Sequence, residues 1–211
     1  MNDITIKLID SYKSILIETG TKPISVAFFA KKNKITEAKF YDEVSSFEHL
    51  EELIWANLMA ETVQKIEEDE VYATYSVREK LLSFYYTHIE VLKQNRSFAL
   101  LNLEPFSISK YKNLEVLNLA KIGFKDYLKD LLAEGRESQE VIERLFISDK
   151  YPDAFWVQYL IILDFWIKDN SKGFEKTDTA IEKSVNASFD LIGPSPLDSL
   201  FDVAKFFYQN R

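Results

Sequence analysis

The chain of 211 residues contains no cysteine. Disulfides, thiolate metal ligands and cysteine nucleophiles are therefore excluded, a usage that fits a reducing cytoplasm. Only two histidines occur, His49 and His88, too few for metal or acid–base chemistry built on clustered imidazoles. Glycine and proline number five each, which leaves little loop material. Long apolar runs are missing too. The most apolar stretch, Ala154 to Ile167, is interrupted by Asp164 and is shorter than the roughly 20 residues a bilayer requires. The opening MNDITIKLID has no basic region followed by an apolar core, so it does not read as a secretory signal. There is no Gly-rich phosphate loop, no serine-nucleophile motif and no Glu-x-x-His spacing. The run Glu67-Glu68-Asp69-Glu70 reads as a solvated helix end. These absences argue against an enzyme, a metal, a cofactor and a membrane span, and for a cytoplasmic protein.

What is present is apolar and aromatic. Hydrophobic residues make up 46% of the chain, ample for one core or a small head on a larger body. Aromatics reach 14%, which calls for large buried contacts, a roomy apolar pocket, or both. The net charge of −8 is unevenly spread. Residues 1–47 carry seven lysines against six acids, a balance of +1, which leaves −9 for the remainder. Within 21–40 five lysines face one glutamate. A locally basic segment on an acidic body suits a nucleic-acid head on a regulatory domain, although a solvated lysine cluster has the same composition.

Periodicity predicts helices throughout and no strand. Leu8, Ile9, Tyr12, Ile15 and Leu16 form one stripe of a helix over 3–19, ended by Gly20. Thr21-Lys22-Pro23 then starts a short second helix with Val26, Phe29 and Ala30 facing inward. After a break at Lys32-Asn33-Lys34, Thr36 caps a third helix to about Val44. Ser45 or Ser46 opens a long fourth to about Glu68, with Ser45 and Glu48 spaced as a capping box. Ser76 and Glu79 form a second box before Leu81, Leu82, Tyr85, Ile89 and Leu92. Further helices are expected at 95–103, from Leu114 to an end at Gly135, at Gln139–Phe146, from Pro152 to Lys168, at Lys176–Ile192, and after Ser195-Pro196 from Leu197 to Tyr208.

The order of landmarks from Ile6 to Ile54 resembles the DNA-binding head of TetR-type regulators. Gly20 stands at the family's first turn. Ser25-Val26 and Phe29-Ala30 match its second helix, and Ile35-Thr36 the pair that opens its recognition helix. Phe40-Tyr41 matches its Leu-Tyr, while Ser46 and Glu48 match the start of its connector, all without a gap. The departures are Glu37 where the family often has lysine, Asp42-Glu43 after the tyrosine, Val44 for a phenylalanine, and Phe47 for a phosphate-holding lysine.

The resemblance implies an all-α fold. A three-helix helix-turn-helix domain at 1–47 would precede a larger helical bundle at 48–211 for ligand binding and dimerisation. It implies a regulator that binds double-stranded operator DNA as a homodimer and is released or shifted by a small apolar or aromatic effector. DNA contacts would come from Lys22, Ser25, Lys34, Thr36, Lys39, Phe40 and Tyr41, by the physics of a helix presented to the major groove. A ligand pocket would be lined by Phe84, Tyr85, His88, Phe98, Phe124, Tyr127 and Trp156, with Phe106 beside them. A dimer seam would form from Phe155, Tyr159, Ile162, Trp166, Ile181, Val185, Phe189 and Ile192. The acids on the third helix leave a second possibility: a protein of this fold that no longer binds DNA specifically and instead takes a lipid or a protein partner.

Overall fold

In the computed structural model residues 2–103, 114–144, 147–194 and the positions 203, 206 and 207 are described. Each helix start has a local cause. Asn2 accepts from the Thr5 N–H and opens α1 (Asp3–Thr19), which ends at Gly20 in the left-handed region, φ 69°. Ser25, Thr36 and Ser46 cap α2 (Val26–Lys32), α3 (Glu37–Glu43) and α4 (Phe47–Glu67) by accepting from the N–H three residues on. Each such cap is worth about 1 kcal/mol. Ser76 and Glu79 make the expected capping box of α5 (Val77–Gln94). The remaining helices are α6 (Arg96–Asn102), α7 (Asn118–Glu137), α8 (Tyr151–Lys168) and α9 (Glu175–Ile192). Among the described residues there is no strand, and no helix is long and apolar enough to cross a membrane.

Several boundaries differ from the sequence expectation, each for a physical reason. Pro23 does not begin α2; it is buried in the linker, and Ser25 supplies the cap. Ser45 and Glu48 form no box. The Ser45 N–H donates to His49 Nδ1 at 3.2 Å, and the cap falls to Ser46. Gly135 does not end α7, which runs two residues further and leaves through Gln139 at φ 64°. Gly135 is instead where the helix is approached closely by Val141. Within the expected helix 139–146, residues 139–144 are not helical; Phe146 lies outside the described residues. The donors of this segment close the end of α9: Ile142 N–H bonds Ile192 O at 2.9 Å, and the Arg144 guanidinium bonds Leu191 O and Gly193 O. Pro105, Phe106 and most of the helix expected over 197–208 also lie outside the described residues.

The buried side chains form one continuous cluster from α1 to α9. At one end Leu8, Tyr12, Phe29, Phe40 and Leu50 pack together. Phe47 joins them, its ring 5.4–5.7 Å from those of Tyr12, Phe29 and Phe40. The loss of the family's lysine at Phe47 is thus a gain of core. Helix α4 continues into the larger end, where it packs on α7 and α5; α8 and α9 lie beyond, on α7 and α5. The short α6 ties the two ends. Its flanking Asn95 accepts from Lys13, and Asn102 accepts from Trp55 Nε1 at 2.7 Å. Arg96 lies between the rings of Trp166 and Phe174, 4.6 and 4.5 Å away, and donates to the final carbonyls of α8.

A Cβ at Gly135 would lie 2.6 Å from Val141 Cγ2. Gly135→Ala is expected to lower unfolding stability by about 1–3 kcal/mol through overpacking. Val141→Ala in the same chain should restore part of the loss. Additive losses in a double-mutant cycle would contradict this packing.

Candidate functional site: head surface and aromatic core

The turn between α2 and α3 shapes the head surface. Ile35 N–H reaches back to Ala30 O at 3.0 Å and Lys34 N–H to Lys31 O at 3.1 Å, with Lys34 itself left-handed at φ 57°. This is a Schellman-type closure with lysine where glycine is favoured. Lys31, Lys32 and Lys34 are exposed there and carry no ion pair with a described residue. Thr36 stands at the cap of α3, and Tyr41 is 54% exposed on it. Ser25 is exposed at the start of α2.

The other head residues are committed elsewhere. Phe40 cannot reach a nucleic acid, being fully buried between Phe29 and Phe47. Lys22 pairs with Glu51 at 3.0 Å and Glu48 at 3.3 Å. Glu51 is buried and also accepts from the Tyr12 hydroxyl; burial first, then this bond, pushes that hydroxyl well above its ordinary range. Lys39 pairs with Glu43 at 2.8 Å. Glu43 also accepts from Asn2 and Thr5, and these three hydrogen bonds hold its carboxyl at about 2. Glu43 therefore ties α3 to the start of α1 rather than facing outward. Glu37 and Asp42 remain exposed on α3.

The expected pocket residues converge, but on one another. Phe84 stacks on Tyr127 at 4.8 Å and on His88 at 5.7 Å; Phe124 lies 5.4 Å from Phe84 and 5.8 Å from Trp156. Tyr85 is 6.4 Å from Phe124, and Tyr159, which the family resemblance placed in a dimer seam, belongs to the same cluster. Phe98 is apart, against Trp55. The space among Tyr85, His88, Tyr159 and Leu163 is too narrow for a water molecule. Among the described residues these side chains thus form a packed aromatic core. Among the described residues no group of three or more His, Asp or Glu is placed to hold a metal.

One polar chain crosses this core. The Thr62 hydroxyl donates to Leu58 O at 2.8 Å, which spends its single proton. His88 Nδ1, 2.7 Å away, must then be the donor to Thr62, and Nε2 accepts from the Tyr159 hydroxyl at 3.0 Å. α4, α5 and α8 are joined through a neutral histidine.

The residues expected in a dimer seam face the inside of the chain. Phe155, Tyr159, Ile162, Trp166, Ile181, Val185, Phe189 and Ile192 are all buried within the chain, because these stripes pack α8 and α9 on each other and on α7 and α5. The free apolar face of α8 is the opposite one: Ala154, Val157, Ile161 and Phe165.

Burial holds His88 down at about 3, far below its free value of 6.5. A lowered histidine pKa means that the unfolded chain takes up the proton first. The stability is full above about pH 6.5 and declines as pH falls toward 3, by about 1.4 kcal/mol per unit. Between pH 7 and 5 the wild type is expected to lose about 2 kcal/mol more in urea melts than His88→Gln. Parallel losses would mean that His88 is not sequestered.

The model of the family described as "Tetracyclin repressor-like, C-terminal domain" matches residues 80–207. No curated protein matches the chain. Among solved structures, the fatty acid degradation regulator FadR from Bacillus halodurans superposes with a TM-score of 0.62 at 18% identity, over 88% of this chain and 95% of that one. A chain assigned to the TetR family of transcription regulators, from Shewanella sp. PV-4, gives 0.59 at 14% identity, over 92% of this chain and all of the other. At these identities the likeness is one of fold, while the family match spans more than half of the chain. The protein belongs to the tetracycline-repressor-like (TetR) family of transcription regulators.

Proposed function

We propose that the protein is a homodimeric regulator in which residues 1–47 read operator DNA and residues 48–211 dimerise and take up a small apolar or aromatic effector. The observation that carries this reading is the head surface. A threonine-capped α3 offers Tyr41 beside three uncommitted lysines at 31, 32 and 34, while its Glu43 is turned inward. Lysines and helix N-termini hold phosphates, and α3 is the element that would enter the major groove. The effector would enter by opening the aromatic core around His88, whose polar chain to α4 and α8 would register the change.

Dimerisation is assigned to the outer faces of α8 and α9. Val157, Ile161 and Phe165 expose 41–54% of their surface at helical spacing. On α9 the small side chains Ala180, Ser184, Ala187 and Ser188 line a neighbouring stripe that permits close approach. A two-fold axis there would make this patch self-complementary. The alternative, a protein of this fold without specific DNA binding that takes a lipid or a protein partner, draws on Lys22 and Lys39 being neutralised and on Glu37 and Asp42 being exposed on α3.

Fluorescence anisotropy against the chain's own upstream DNA and a scrambled control, across a salt series, separates the two. Tight, sequence-dependent binding is expected. Lys34→Gly keeps the left-handed backbone while removing a charge, so it should weaken binding to both DNAs and lower the salt slope by about 1. Equal, feeble binding to both DNAs at low salt would leave the alternative. For the interface, Ile161→Glu is expected to convert a dimer into a folded monomer in sedimentation equilibrium. A wild type that is already monomeric would refute the assignment.

A further inference from the structure

The outward face of α3 carries an unusual set of side chains for a helix that would read bases. Its sequence, EAKFYDE, holds no arginine, asparagine or glutamine. Guanine is ordinarily read by arginine or lysine, and adenine by asparagine or glutamine. The one cation, Lys39, is held to Glu43 at 2.8 Å, and Glu43 is fixed in turn by Asn2 and Thr5. Phe40 is buried. Glu37, Ala38, Tyr41 and Asp42 remain exposed, and at about 100° per residue they share an arc of about 140°. Neither Glu37 nor Asp42 forms an ion pair with a described residue.

This face offers a base edge two carboxylates, a methyl group and a phenol. An ionised carboxylate only accepts hydrogen bonds. In the major groove it is repelled by guanine O6 and N7 and by thymine O4, which are all acceptors. Adenine presents its N6 amino group beside the N7 acceptor. Cytosine presents the N4 amino group alone, and is the base that a carboxylate fits. Recognition helices set their N-terminal residues on base edges. That selects Glu37, the first residue of α3, over Asp42, which lies more than one turn further on. The charge that holds phosphates comes from Lys31, Lys32 and Lys34, at the turn before α3.

We propose that Glu37 determines the sequence specificity of the head by accepting from the N4 amino group of one cytosine in each half-site. This role presupposes that α3 enters operator DNA, and adds the residue that reads it and the base that is read.

Selection from a randomised DNA pool by the full chain is expected to enrich a G·C pair at one position of each half-site. Glu37→Gln, at an exposed position and so compatible with folding, is expected to replace that pair by A·T, since glutamine fits adenine N6 and N7. In competition between the two sequences the wild type should favour the G·C pair, and the variant the A·T pair, each by roughly tenfold. A 7-deazaguanine opposite the cytosine removes an acceptor that lysine or arginine would use, and should leave wild-type binding unchanged. Asp42→Asn removes the same charge from the same helix; it should tighten binding to every sequence and keep the G·C preference. A preferred pair that is unmoved by Glu37→Gln, or that moves only with Asp42→Asn, or binding that falls with 7-deazaguanine, would overturn the role of Glu37 while operator binding stands. If no sequence is enriched, both fall.

Discussion

A buried carboxylate, Glu51, sets the relation between the head and everything that follows. Left without partners it would cost several kcal/mol. Tyr12 from α1 and Lys22 from the linker before α2 must therefore meet it on α4. That requirement fixes α1, the linker and the first turns of α4 as one piece. The same helix then supplies Leu58, Met59, Thr62 and Ile66 to the core of the body. Because α4 is continuous, a displacement of its far half is carried to the head without an intervening hinge. Helix α6 gives a second mechanical route, with Asn95 on α1, Asn102 on α4 and Arg96 on the end of α8.

This lock reshapes the electrostatics of the head. Lys22 serves the buried carboxylate, and Lys39 serves Glu43, which in turn holds the start of α1. The basic character that remains is concentrated at the α2–α3 turn. There Lys34 accepts an unfavourable left-handed backbone that glycine would adopt freely. In the body the described rings of Phe84, Tyr85, Phe124, Tyr127, Trp156 and Tyr159 pack on one another around His88.

The helices were legible in the sequence because capping residues and 3.6-residue stripes are local signals. Thr36, Ser76 and Gly20 act as read. What failed was long-range. Ser45 lost its glutamate partner because His49 could accept from it instead. Residues 139–144 gave up helix because their donors close the end of α9. Stripes on α8 and α9 were recognisable as apolar faces, but apolarity alone does not say whether a face meets its own chain or another. Phe155 and Ile181 answer to the chain itself, and the less conspicuous Val157 and Ile161 are left outside. Likewise Phe40 and Phe47 stand where family resemblance suggested nucleic-acid contacts, and packing claimed both. Glu67 read as part of a solvated helix end; only the fold sets it in one groove with Tyr127 and Glu134.

Under the proposed function, two heads are held at a defined separation by α4 in a dimer. The absence of cysteine makes this directly measurable, since Asp10→Cys, exposed on α1, introduces a single spin-label site per chain. Double electron–electron resonance should then give one narrow inter-head distance, broadened in Glu51→Gln where the lock is weakened. No dipolar coupling, or a broad distribution in the wild-type lock, would contradict the account.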